Sequence, residues 1–119
     1  MPRALVLPVN LRGVERVVRI TPERLRHIRE RRPEWFDFIT KFMRQVIERP
    51  DFIGQRTRSD RRRVEFVGLV GPPRRWLLVA AKFLDDKGEA WVSTAYPVSD
   101  LILTRRVRTG TLWEVIGGP

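Results

Sequence analysis

Between Pro33 and Glu48 the apolar side chains keep a helical period. Trp35, Ile39, Phe42, Met43 and Val46 recur at three- and four-residue steps, and Phe38 and Ile47 widen the stripe. A stripe this broad is core packing, and it commits the chain to a long helix lying on a second apolar layer. A shorter helix precedes it. Thr21 can cap a helix that starts at Pro22, since its side-chain oxygen accepts from a free backbone N–H and proline loses nothing at the first position. That helix should run to about Arg31, with Arg32-Pro33 as a break and re-start. Leu25 and Ile28 form its apolar seam, while Glu23, His27 and Arg31 follow one another at four-residue steps on a neighbouring face.

The rest of the chain reads mostly as strand. Residues 4–9 fit a short edge strand, because Pro8 argues against a central one. Gly13 marks a turn, and residues 14–20, VERVVRI, predict a strand. After Pro50 closes the long helix, residues 51–59 read as a loop around Gly54. Residues 63–70, RVEFVGLV, predict a strand that Gly71-Pro72-Pro73 terminates. Residues 75–84, RWLLVAAKFL, are nearly all apolar, as befits a central strand covered on both faces, with Lys82 as a polar intruder whose ammonium would need a partner if buried. Asp85-Asp86-Lys87-Gly88 reads as a hairpin loop leading to a paired strand over residues 89–96, which Pro97 closes. Residues 98–103 predict a turn or short helix, and residues 105–108 and 111–116 one more strand or hairpin about Gly110. The whole is an α+β fold, with N-terminal helices packed on an antiparallel β-sheet. It forms one domain over residues 1–119, with its core at about 14–116.

Charge narrows the partners. The formal net charge is +10, and all but three of the 24 basic residues (Lys41, Lys82, Lys87) are arginine. Arginine pairs with phosphate at two points and stacks on bases, so nucleic acid is the leading partner. A GC-rich coding bias can turn lysine into arginine, but it does not create net charge. The chain has no cysteine and one histidine, which excludes disulfides and thiolate metal sites and argues against zinc. The apolar run at residues 4–9 is short for a signal peptide, and no stretch approaches the ~20 residues of a membrane span, so a cytoplasmic chain without a membrane partner is expected.

Phosphate-binding loops, dinucleotide fingerprints and nucleophile elbows are absent, and the acids are scattered. What remains is a set that needs neither metal nor cofactor. RNA carries its own nucleophile, the 2′-OH. Cleaving it takes a base for that proton, an acid for the leaving oxygen and cations around the phosphorane-like transition state. Imidazole ordinarily titrates near ~6.5, so His27 suits acid or base work. Arg31, one turn on, suits the phosphate. Ser93, Thr94 and Tyr96 bring hydroxyls to the end of a strand expected opposite the helix, with Lys82 on the neighbouring strand.

These residues stand in a recognisable order. A strand leads into Ile20-Thr21-Pro22, then Leu25, His27-Ile28, Arg31 and Pro33; the long helix ends in Arg49-Pro50-Asp51-Phe52-Ile53-Gly54; an apolar strand precedes Trp91-Val92-Ser93-Thr94-Ala95-Tyr96-Pro97. The order resembles the phage-associated nuclease-like families of the barnase–EndoU–colicin–RelE (BECR) fold over roughly residues 18–107. One departure stands out: relatives commonly carry a histidine just before the proline, where this chain has Arg32. The resemblance implies a small metal-independent ribonuclease, a toxin or phage-associated effector acting on tRNA or mRNA and countered by an acidic antitoxin or immunity protein. It implies His27 as general acid/base, Arg31 and Arg32 on the scissile phosphate, Lys82 as added positive charge, and Thr94 and Tyr96 as substrate-positioning groups.

A different reading keeps the charge and drops the chemistry. The chain would then be a non-catalytic RNA- or DNA-binding module, gripping phosphates through Arg58, Arg61, Arg62 and Arg63 in the 56–63 run and through Arg74-Arg75, or an interaction protein of a phage.

Overall fold

The computed structural model describes residues 5–11, 14–55, 63–83 and 89–115. They build a seven-stranded sheet in the order β1-β2-β6-β5-β4-β3-β7, flanked by three α-helices. The strands are β1 (Leu5–Leu11), β2 (Val14–Ile20), β3 (Phe52–Gly54), β4 (Arg63–Val70), β5 (Arg75–Phe83), β6 (Ala90–Val98) and β7 (Leu112–Glu114). The helices are α1 (Pro22–Arg31), α2 (Phe36–Glu48) and α3 (Asp100–Arg108), with a 3-10 turn at Pro33–Trp35 ahead of α2. Among the described residues no helix is long and apolar enough to cross a membrane.

The α+β class is as expected, but the sheet is mixed. β2 runs parallel to β6, while every other neighbouring pair is antiparallel. The reason lies in the connection: two helices carry the chain away from β2, and such a crossover lets a later strand return in the same direction.

β5 is the middle of the molecule, and both of its faces are buried. Leu77, Val79 and Ala81 join one core with the α2 stripe (Phe38, Ile39, Met43, Val46, Ile47), Ile28 of α1, and Val18, Ile20, Phe66, Ala90, Val92 and Ala95 of the sheet. Leu78 and Ala80 point the other way, into a smaller core with Val67, Leu103 of α3 and Leu112. Gly68 marks where α2 lies closest to β4: a Cβ there would sit 3.3 Å from a Val46 methyl.

Several expectations need correction. The 51–59 loop contains β3, a strand squeezed between β4 and β7. Gly54 is what lets it fit, because an added Cβ would lie 2.0 Å from the Thr111 carbonyl oxygen; the glycine read as a loop signal is a close backbone approach. Residues 105–108 are helical. Ser99 caps α3 by accepting from the Ile102 N–H at 3.2 Å, and Arg105, Arg106 and Arg108 occupy its last turn, where cations favour the helix dipole. Pro97 lies inside β6, opposite Leu77, at a level where β6 has no strand on its outer edge among the described residues, the setting in which strands accept proline. The 85–88 hairpin, the Gly13 turn and Arg58, Arg61 and Arg62 lie outside the described residues.

One ion pair fixes α3 to the sheet. Glu65 of β4 is fully buried, and its Oε1 accepts from Arg106 Nη2 at 2.5 Å, while Arg106 Nε donates to the Thr111 hydroxyl at 3.0 Å. Removing one member of a buried pair strands the other charge, which costs about 3–5 kcal/mol against a typical domain stability of about 5–15 kcal/mol. Arg106→Ala should therefore lower the urea-unfolding free energy by about that 3–5 kcal/mol. A double change of Glu65 and Arg106 to apolar residues should recover much of the loss.

Candidate functional site

Among the described residues β2 and β6 pair at two positions, Val18 opposite Ala90 and Arg19 opposite Trp91. Beyond that the strands part. Thr21 turns the chain out of β2 and caps α1, accepting from the Arg24 N–H at 3.1 Å, and α1 then packs beside the outer edge of β6. Ile28 locks the helix into the core at 2 % exposure. His27, Arg31 and Arg32 remain exposed on the rim.

Between helix and strand edge lies a cleft of about 210 Å³, lined by His27, Ile28, Arg31, Arg32, Thr94, Ala95 and Tyr96. Its volume is several times a water's share of about 30 Å³. Ile28 and Ala95 are buried and give it an apolar floor; Thr94 and Tyr96 are half-buried. Arg32 ends α1, its N–H donating to the Ile28 carbonyl at 2.8 Å. Its guanidinium lies 5.0 Å from the centroid of the Tyr96 ring, within cation–π range. His27 also borders a smaller hollow of about 160 Å³ with Glu23, Arg24, Arg26 and Glu30, so the imidazole is shared by the two.

A bulge decides which hydroxyls reach the cleft. Ala80 pairs with Thr94 and Ala81 with Val92, leaving Ser93 as the extra residue. Simple alternation would put Val92, Thr94 and Tyr96 on one face. With the bulge, Val92 and Ala95 face the α2 core, while Thr94 and Tyr96 take the face that carries α3. They still line the cleft, because β6 offers α1 its bare edge.

Of the residues anticipated for the site, His27, Arg31, Arg32, Thr94 and Tyr96 come together. Ser93 is not among the lining residues. Lys82 does not line the cleft: it stands on β5, one strand in from the bare edge of β6 and opposite Trp91, and being exposed it needs no buried partner. Arg63 is its cross-strand neighbour on β4, also away from the cleft. The Pro50-Asp51-Phe52-Ile53 segment is a structural clasp. Asp51 Oδ2 accepts from the Leu69 N–H at 2.8 Å, and its backbone N–H and carbonyl bind Val67 and Val115. Ile28 and Ala95 as the floor of the cleft were not anticipated, although Ile28 reads as part of the apolar seam of the first helix and Ala95 is the small residue between Thr94 and Tyr96. Among the described residues no three His, Cys, Asp or Glu side chains gather as a metal site requires.

The arrangement sets one imidazole, two guanidiniums and two hydroxyls around a hollow open to solvent, a group able to bind an oxyanion and exchange a proton beside it. Its placement depends on α1 starting where it does. Thr21→Ala should cost about 1 kcal/mol of stability, visible as a lowered thermal midpoint, through the lost cap. Comparison of the chain with family models, with curated proteins and with solved structures returned no match.

Proposed function

We propose that this cleft cleaves RNA without a metal ion. The observation that carries the reading is the convergence of His27, Arg31 and Arg32 with Thr94 and Tyr96, more than sixty residues later in the chain, around one hollow. It accords with the resemblance to BECR-fold nuclease families and with the +10 charge. In the proposed reaction the 2′-oxygen attacks the adjacent phosphorus and the bond to the 5′-oxygen breaks, leaving a 2′,3′-cyclic phosphate and a 5′-hydroxyl. His27 takes the 2′-proton or supplies the proton to the departing 5′-oxygen, and solvent water at the open cleft exchanges the other. Arg31 and Arg32 offset the charge that builds on the phosphate oxygens, and Thr94 and Tyr96 donate hydrogen bonds that position the strand. The substrate would be a tRNA or mRNA, and an acidic antitoxin or immunity protein would fit over the same basic rim.

His27→Ala should lower cleavage of total tRNA or a long RNA, in excess chelator, by about 10²–10⁴-fold, the usual worth of a general acid or base. Denaturing gels would show the loss, and end analysis should find cyclic phosphates in the wild-type products. Equal fragmentation by both proteins would overturn the assignment.

One observation favours a second reading, in which the cleft binds nucleic acid without cutting it: its rim carries a single histidine, and an arginine cannot act as the second proton-transfer group near neutral pH. Arg32→His discriminates between the two. If the cleft lacks only its second group, this change should raise cleavage at least about tenfold. If neither protein cuts RNA while both still bind it, the cleft is a binding site.

A further inference from the structure

On the face of the sheet that carries α3, four side chains stand in one row across four strands. Arg19 of β2 pairs with Trp91 of β6, Trp91 with Lys82 of β5, and Lys82 with Arg63 of β4. With strands about 4.8 Å apart the row is roughly 14 Å long. α3 does not cover it: the apolar contacts of Leu103 are with the Val67, Leu78, Ala80 and Leu112 level of the sheet. Lys82 is exposed, and Arg19, Trp91 and Arg63 are half-buried.

The charges in the row are not spent on structure. Arg63 Nε is buried and has no hydrogen-bond partner. Arg19 meets Glu89 only at 3.8 Å, with both side chains about a third exposed, a pairing of little worth. The Arg19 guanidinium is 6.0 Å from the Trp91 ring centroid, at the outer limit of a cation–π contact. Glu65, the buried acid of this face, is held by Arg106 through Oε1, and its Oε2 makes no hydrogen bond to Arg63. A half-open indole between cations suits a polymer that alternates flat rings with negative charges. We propose that the Arg19–Trp91–Lys82–Arg63 row binds a single-stranded nucleic acid, one base stacking on Trp91 and the flanking phosphates lying on Lys82, Arg19 and Arg63.

A duplex fits poorly, since its bases are already stacked on one another and leave no free ring for Trp91. The row also continues toward the cleft. Trp91, Thr94 and Tyr96 share this face of β6, so a strand held on Trp91 is led along β6 to the cleft rim. The binding role goes beyond cleavage and holds whether or not the cleft cuts.

The test is fluorescence anisotropy with labelled oligonucleotides on the order of 10 nucleotides, near the site size of single-strand binders. The His27→Ala protein serves as background, so that the probe survives. Trp91→Ala should weaken binding of single-stranded RNA about tenfold, and Trp91→Phe should retain it, as base–aromatic stacking requires. Lys82→Ala should reduce the slope of log affinity against log salt by about 0.7, the share of one phosphate contact. Single-stranded DNA of the same sequence, run alongside, shows whether the row distinguishes the sugar. Unchanged affinity in a Trp91→Ala protein that melts normally would overturn the proposal, as would duplex RNA bound as tightly as the single strand. If Trp91→Ala melts early, the exposed Lys82→Glu takes its place: several-fold weaker binding is expected, and equal affinity overturns the row. Failure of wild-type protein to cut RNA would remove the nuclease reading and leave this result standing.

Discussion

Everything in this fold hangs on the double burial of β5. A nine-residue strand whose side chains are covered on both faces needs two separate apolar layers, and the two are supplied by different parts of the chain. The α2 stripe provides the larger layer, with Ile39, Val46 and Ile47 fully buried. The smaller comes from α3 and β7, too short to bury much area alone, and the buried Glu65–Arg106 pair ties them down. That pair also fixes the direction in which α3 crosses the sheet, because Arg106 reaches Glu65 and Thr111 together.

The cleft follows from what the sheet leaves undone. If β2 had continued alongside β6, α1 could not have packed against that edge, and His27 would have had no strand to face. The parting after Arg19 and Trp91, the cap at Thr21 and the anchor at Ile28 set one helical turn against a bare strand edge. Side chains held on such regular elements keep their spacing around the hollow, because the backbones beneath them move little. Here the same parting puts Trp91 at the corner between the cleft and the charged row, so a single topological feature serves both surfaces.

Much of this was legible from residue order. The period of the α2 stripe, the Thr21-Pro22 cap, the apolar run of β5 and the β2 and β4 segments are set by local rules, and the elements lie where those rules put them. His27 and Arg31 could be grouped because a helix fixes its own spacing, whereas Arg32, at the helix cap, was joined to them by the resemblance alone. What escaped was set by contacts between distant segments. β3 looked like a loop because Gly54 is shaped by Thr111 rather than by its neighbours. Residues 105–108 read as part of a strand or hairpin about Gly110, yet Leu103 and Arg106 find their partners only when that stretch coils. Lys82 was placed near the site on strand adjacency, and it does share a face with Thr94 and Tyr96, but the register sets it opposite Trp91, one strand in from the edge that α1 meets.

The sequence by itself determined that this is an α+β chain with strong positive charge, an amphipathic second helix and a central apolar strand. Those properties depend on periodicity and composition, which any short window displays. The tertiary structure alone decided that β2 and β6 run parallel and then separate, that Ser93 bulges and carries Thr94 and Tyr96 to the far face, and that Arg19, Trp91, Lys82 and Arg63 fall into one row. Register is a relation between strands, and a shift of one residue in one strand exchanges its faces. No local pattern encodes it; only the packing of two cores against the same sheet selects it.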